Sequence, residues 1–384
     1  VGGFRVVQFA HFSVKEYLAS ARLAKAKDTI SRFHVSTTPA HTIVAQACLG
    51  VLLHLDETIT KDDLEDFPLA EYAAEHWVDH ARTENVSSKV QDGMKRLFDP
   101  SKSHLSVWVW IYDPEDSQHR SKRSERPAKA RATLLHYAAV CNMHDIATFL
   151  IVEHSQDVNA RGFPKEETPL HVASRLGLME TARVLLKHGA ETEALDNDYK
   201  FSPLERATQA GHVELAQVLL EYGANVNAQD NDDRWTPLHV ALNHGRLAVA
   251  QVLLKHGADV KARNKINETP LHFAGNEEVA RLLLEHGADA NALDIKNRTP
   301  LHGVSDMWEL LGSFSSMAQI RMPEMPTTRH LASDPKYEFR VEGCLDVARL
   351  LLLYGSDIHA RDAEGRTPFM RATAEENHEI MQLL

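Results

Sequence analysis

Apolar positions along this chain follow a helical spacing that is itself nested in a much longer repeat. In the stretch from Thr236 to Asp259, Leu238 and Ala241 fall three apart, on one face of a short helix. Thr236 is placed to cap that helix, its hydroxyl accepting from an N–H the first turn leaves unpaired. Pro237 takes the first helical position, where a missing N–H costs nothing. Gly245 ends the helix in a left-handed turn, and Leu247 to Lys255 predict an antiparallel partner closed by Gly257. The chain then runs through Asp259, Val260 and Lys261 toward a hairpin. Near-copies of the opening begin at Thr133, Thr168, Ser202, Thr269, Thr299 and Thr367. With Thr236 included, the successive steps are 35, 34, 34, 33, 30 and 68 residues.

A step of about 33 residues carrying Thr-Pro-Leu-His-x-Ala, in register along about two-thirds of the chain, resembles the ankyrin-repeat family. The resemblance implies an all-α solenoid of helix-turn-helix repeats, with β-hairpin turns projecting at right angles to the helix pairs. It also implies a concave face of first helices and hairpin tips that takes a protein or peptide. One such unit cannot bury its apolar face alone, so stability is a sum of repeat terms and nearest-neighbour interfaces. In the resembled family the fourth motif position, here His136, His171, His239, His272 and His302, is a hydrogen-bonding scaffold residue. These histidines, like His188, His256 and His286 before the second glycine, recur once per repeat. Zinc ligands instead come as tight clusters with Cys or acidic partners, so no metal and no cofactor is expected.

Upstream of Thr133 the pattern changes. Val6 to Phe9 reads as a short extended piece, and Ser13 to Glu16 is a capping box opening a helix. Thr38-Pro39 starts a helix that is apolar nearly all round (Ile43, Val44, Ala47, Leu49) and so is expected to be buried. Further helices are predicted from Pro68 through Arg82 and over about Ser88 to Phe98. Ser103 to Tyr112 alternates like a strand but is capped like a helix, and helix is preferred. The phrases Phe9-Ala10-His11-Phe12-Ser13-Val14-Lys15-Glu16-Tyr17-Leu18 and Pro68-Leu69-Ala70-Glu71-Tyr72-Ala73-Ala74-Glu75-His76-Trp77 resemble the helical segment between the NTPase and the ankyrin array of fungal NACHT–ankyrin proteins. Asp157-Val158-Asn159-Ala160-Arg161-Gly162 is similar to the same group. Those are signal-transducing STAND-class NTPases, yet no G-x-x-x-x-G-K-[ST] phosphate loop occurs here. The expected organisation is a helical region over 1–112, a polar linker over 113–131 and repeats over 132–384. The linker's basic tract, Arg120 to Arg131, reads as a nuclear-import address, an anionic contact or a solvated tether.

Several repeats depart from the pattern. The first has Leu134 for proline and Asn142 for the inter-helix glycine, and Asn tolerates the left-handed turn. In the third, Ser202-Pro203-Leu204-Glu205 keeps the cap and loses the histidine. The fifth is three residues short near its inter-helix turn, nearly one helical turn. The sixth is split, with an insert near 306–341 that reads as a short helix with a loop, a partner-binding element or a decayed repeat. Asn267, Asn297 and Gly365 sit where hairpin tips need positive φ. Asp196-Asn197-Asp198 and Asp230-Asn231-Asp232-Asp233 predict two strongly acidic neighbouring tips.

Composition narrows the function. The chain has 384 residues, 43% hydrophobic and 25% charged, which is ordinary for a globular protein, and a formal net charge of −12 that argues against nucleic-acid binding. Cys48, Cys141 and Cys344 are isolated, fitting reduced thiols and a cytoplasmic setting. No apolar run approaches the ~18 residues of a membrane span, and no secretory leader stands at the start. Val1 in place of Met, and Leu384 inside an expected helix, predict a fragment of something longer.

No Ser/His/Asp, Cys/His or paired-carboxylate arrangement exceeds what repetition explains, so no enzyme is expected. The expected function is an interaction scaffold binding a protein or peptide, with basic side chains on the partner. Its candidate contacts are Asp198, Tyr199, Asp232, Asp233, Arg234, Asn243, His244 and Lys265. The alternative is a regulatory arm of a NACHT-type NTPase, in contact with an upstream motor domain.

Overall fold

The computed structural model describes residues 37–65, 67–83, 85–114, 132–162, 165–198, 200–230, 233–306, 344–375 and 377–384. The extended piece at Val6–Phe9, the capping box at Ser13–Glu16, the basic tract Arg120 to Arg131 and the insert beyond Asp306 lie outside them. The chain divides into two compact units, 1–156 and 157–384.

Among the described residues, the first unit carries five helices, α1 (Thr37–Leu52), α2 (Lys61–Glu65), α3 (Pro68–Ala81), α4 (Ser87–Leu97) and α5 (His104–Ile111), together with the helix pair of the first repeat, Leu134–Val140 and His144–Val152. Its core is aromatic. Trp77 and Trp108 are both fully buried and meet edge-on, ring centroids 5.3 Å apart, with Phe98 and Tyr137 packed against them. Such edge-to-face pairs add stability beyond the area they bury. Trp108 also donates its indole N–H to Ala74 O at 2.8 Å, as a buried tryptophan must if its polar atom is to be satisfied. That anchor explains the helix at 104–111. A lone strand there leaves its backbone groups without partners, whereas a helix pairs its own.

The first repeat is tied to the preceding helices by charge as well as by packing. Arg82 donates from Nε to Cys141 O (2.7 Å) and from Nη2 to Val140 O (2.8 Å), covering carbonyls that the helix end leaves open. Lys95 reaches Glu153 at 3.2 Å and lies over the Phe149 ring at 4.7 Å. The expectation that α1 is buried all round needs correction. Ala45, Cys48, Leu49 and Leu52 are buried, but Ile43 is 66% exposed. Among the described residues, α1 packs against α3, α4 and α5 and leaves Ile43 outside those contacts.

In the second unit, each repeat is a helix pair, beginning with Pro169–Leu176 and Met179–Lys187 and ending with Pro368–Ala374 and His378–Leu383. The first helices starting at Pro169, Pro203, Pro237, Pro270 and Pro368 each have Thr or Ser in extended conformation before the proline. Gly177, Gly211 and Gly245 turn with φ of 71°, 89° and 64°. In the shortened fifth repeat the first helix is a single 3-10 turn, Pro270–Phe273, so the three missing residues come out of that helix and its turn.

The insert leaves the stacking register intact. Asn159 and Asn227 each brace the next repeat 30–32 residues on, through Gly189 O and Glu191 N–H, and through Gly257 O and Asp259 N–H. Asn291 makes the same two bonds to Gly355 O and Asp357 N–H, 64–66 residues on.

Candidate interaction surface

Four repeats of the second unit are locked to the next through their motif histidine. Thr236 N–H donates to His239 Nδ1 (3.2 Å), so the ring proton sits on Nε2, which donates to Glu268 O at 3.3 Å. His171 reaches Phe201 O, His272 reaches Arg298 O, and His302 reaches Arg366 O in the same way. Both nitrogens of each of these four rings are thereby committed. Burial disfavours the charged form, holding His239 down to about 4 and shifting His171 and His272 in the same direction.

Repeat three substitutes a carboxyl. Glu205 Oε2 accepts from Ser202 N–H (2.7 Å) and Oγ–H (2.9 Å), completing a capping box. Its Oε1 is buried without a partner. Burial, reinforced by Asp230 and Glu193, pushes this acid up to about 8. The Ser-x-x-Glu spacing was the sequence signal for this role, which the loss of the histidine masked.

Among the described residues, main-chain bonds fasten neighbouring hairpin tips at four places. Asn197 N–H donates to Lys165 O (2.7 Å), Lys265 N–H to Asp233 O (2.8 Å), Ile295 N–H to Ile266 O (3.0 Å) and Ala363 N–H to Lys296 O (2.8 Å). The hairpins themselves are narrow. Asp196, Asp230, Asn264, Asp294 and Asp362 each donate a backbone N–H across the turn, and an isolated antiparallel bridge joins Gly162 and Glu167.

The side chains of those aspartates point inward, which corrects the picture of strongly acidic tips for Asp196 and Asp230, while Asp233 stays exposed. Asp196 is fully buried against Arg206 (Nε to Oδ2, 2.6 Å), and Asp198 is shared between Arg206 and Lys165, both at 3.2 Å. Asp230 is buried and accepts from Asp233 N–H. Asp294 takes Arg298 at 2.6 Å, and Asp362 takes Arg371 at 2.7 Å. Although desolvation works the other way, backbone N–H donors and the Arg371 guanidinium hold Asp362 down to about 2. The same aspartate or asparagine recurs five or six residues before the caps at Ser202, Thr236, Thr269, Thr299 and Thr367, a once-per-repeat signal of the kind that marks the histidines as structural.

Of the residues expected to contact a partner, Tyr199 and Asp232 lie outside the described residues. Asp233, Arg234 and Lys265 are exposed at the tips, and Asp198 is there too with its charge shared as above. Asn243 and His244 are half-buried at the C-terminal end of their first helix, beside each other. Arg234 holds φ of 56° two residues before its cap, as do Lys200 (58°) and Glu166 (50°) at the matching positions, where Asn267, Asn297 and Gly365 sit in other repeats. Sequence reasoning missed two more tip residues, Ile266 and Ile295, 42% and 61% exposed. Among the described residues, no three His, Cys, Asp or Glu side chains converge as a metal site requires, and no helix is long and apolar enough to cross a membrane.

A surface of fastened tips and first-helix ends over interlocked helix pairs defines a repeat-built scaffold. Family models described as ankyrin repeats match residues 135–230, 192–264 and 228–294, and a second such model matches 337–384. Together they span more than half of the sequence, and the chain belongs to the ankyrin-repeat family.

A solved relative is the ankyrin repeat domain of Bcl-3, described as a unique member of the IkappaB protein family. It is 25% identical, with a TM-score of 0.50, over 64% of this chain and 95% of that one. Among curated proteins, azaphilone pigments biosynthesis cluster protein L of Monascus ruber is 29% identical over 198 residues. That match takes in 48% of this chain and 41% of the relative, so the chain spans about two-fifths of the relative's length.

Proposed function

We propose that the repeat array is a protein-interaction scaffold, holding a protein or peptide along its hairpin tips and the exposed ends of its first helices. The observation that carries this is the division of labour among polar groups. The motif histidines, the tip aspartates and the bracing asparagines are spent inside the stack. The tip backbones are fastened to one another, and what remains is a pre-ordered row of exposed side chains. Pre-ordering lowers the entropy lost on binding. The reading assigns no catalytic role to any residue.

The test is selection of displayed peptides on the immobilised full chain, followed by hydrogen exchange of the complex. Protection confined to the tips and first-helix ends supports the proposal. Protection on the second helices, or on the first unit alone, refutes it.

We further infer that the chain serves as the regulatory arm of a NACHT-type signalling NTPase. This rests on the resemblance of the Pro68–Trp77 phrase. Support comes from the first unit, where α3 contributes Trp77 to the aromatic core shared with Tyr137 of the first repeat, which suits a helical region that passes on a binding event. Reading the transcript upstream of Val1 decides it. A phosphate-loop motif within a few hundred codons supports the inference, and coding sequence of an unrelated class sinks it.

A further inference from the structure

Phe201 O, Glu268 O, Arg298 O and Arg366 O hold the same place, one residue before a first-helix cap, and each accepts two donors. One is the hairpin N–H of Asp196, Asn264, Asp294 or Asp362, and the other is Nε2–H of the preceding motif histidine. Trp235 O holds that place before Thr236 and accepts the hairpin N–H of Asp230 at 2.9 Å. The residue in register to be its second donor is Glu205.

Glu205 stands 30 residues before Trp235, the separation between His171 and Phe201. Its carboxyl copies the histidine's first contact, Oε2 taking the Ser202 N–H as Nδ1 of His239 takes the Thr236 N–H. Oε2 takes the Ser202 hydroxyl as well, so Oε1, buried and without a partner, is the atom left to reach the next repeat. Asp230, from the Trp235 hairpin, is near enough to repel a charge on Glu205. An ionised Oε1 turned to a carbonyl sets two acceptors against each other, whereas a protonated one has a hydrogen to give.

We propose that Glu205 is held as a neutral acid whose proton sits on Oε1 and is donated to Trp235 O, so that a proton closes the junction of the third and fourth repeats. The proposal concerns the stack itself and holds whatever the array binds. The groups around the carboxyl favour the neutral form. Asp230 and Glu193 both act against a charge there. Arg206 on the same helix is committed to Asp196, and Arg175 on the preceding first helix to Glu167. His171 and His239, on the first helices to either side, have both ring nitrogens engaged. Glu214 and Glu221 on the paired second helix are exposed.

An open junction ionises Glu205 as an ordinary carboxyl, near 4.5, and a closed one keeps the proton up to about 8. Opening is therefore hardest below about pH 4.5, eases by up to roughly tenfold per unit as pH rises toward about 8, and levels off above it. The histidine junctions run the other way, loosening as pH falls below about 6.5.

The test labels the full chain with isotope at the side-chain carboxyl carbon of glutamate and the main-chain carbonyl carbon of tryptophan, and follows both by NMR. The Glu205 and Trp235 signals are those missing from Glu205→Gln and Trp235→Phe, with Glu205→His for assignment should the glutamine chain not fold. Both signals are expected to move together with one midpoint near pH 8. Hydrogen exchange then compares the Asp230 N–H with its equivalents at Asp196 and Asn264. Its protection is expected to fall relative to theirs between about pH 5 and 8, by up to roughly tenfold per unit. That fall is expected to vanish in Glu205→Gln, whose amide N–H makes the same bond without titrating. A Glu205 signal that titrates near 4.5, or a Trp235 carbonyl that stays still while Glu205 titrates, overturns the proposal. A relative loss of protection that persists in Glu205→Gln overturns it too.

Discussion

Exchanging Glu205 for glutamine tests the physics of the stack at a single atom. The carboxyl is buried, its Oε2 takes both Ser202 donors, and its Oε1 has no partner. Burial raises its pKa from 4.5 to about 8, so near neutrality the folded chain holds it as the acid while the unfolded chain ionises it. A folded pKa raised above the unfolded one contributes stability that is complete below about pH 4.5 and is lost as pH rises through about 8. At about pH 7, some two and a half units above the unfolded value, the loss is roughly 3 kcal/mol at 1.36 kcal/mol per unit. Glutamine keeps an oxygen for the Ser202 N–H and completes the same capping box, but does not titrate. Urea unfolding of both chains, followed by far-UV circular dichroism, is expected to show near-equal stability at about pH 4.5. The glutamine chain then gains up to ~3 kcal/mol by about pH 7 and levels off above about pH 8. A difference that stays constant across that range refutes the reasoning, because an unshifted carboxyl and an amide differ by no more than a fixed packing term.

The histidine locks give the opposite slope. His239 is held down to about 4, so its part of the stability is expected to fall as pH drops from about 6.5 toward about 4, by up to ~1.4 kcal/mol per unit, and His171 and His272, lowered too, slope the same way. His239→Gln should flatten part of that slope in the same urea series. Arg206→Ala strands Asp196 without its buried partner and is expected to cost about 3–5 kcal/mol, with much of it recovered in Arg206→Ala/Asp196→Ala. Thermal melts of the two variants check this. Arg234→Asn places a residue suited to positive φ where an arginine now holds φ of 56°, and a stabilisation of about 1 kcal/mol by urea titration is expected. Trp108→Ala removes the indole donor to Ala74 and the ring between Trp77 and Tyr137 and should cost about 3–5 kcal/mol, read from the loss of near-UV circular dichroism on heating.

What the sequence makes legible, and what it hides, divides along one physical line. A feature that every repeat needs recurs at the repeat period, so the Thr-Pro start, the inter-helix glycine and the motif histidine could be read directly, as could the left-handed tips at Asn267, Asn297 and Gly365. The tip aspartates recur as faithfully, but whether an aspartate faces in or out depends on a neutralising partner. That partner is not periodic. Where the fifth motif position is arginine, as in Arg206 and Arg371, the guanidinium turns back to Asp196 or Asp362. Where the position is Val240, the matching Asp230 accepts the Asp233 N–H instead. Repeat six has Gly303 there, and Arg298, one residue before the cap, serves Asp294. Each solution buries the acid, and each does so with a different residue, so no single spacing announces it. The exposed surface is then what these local solutions leave behind: Asp233 and Arg234 at one tip, and Lys265-Ile266 and Ile295-Lys296 at the next two. Recognition in a repeat array is therefore written in the positions that break the period, since those that keep it are consumed in holding one unit to the next.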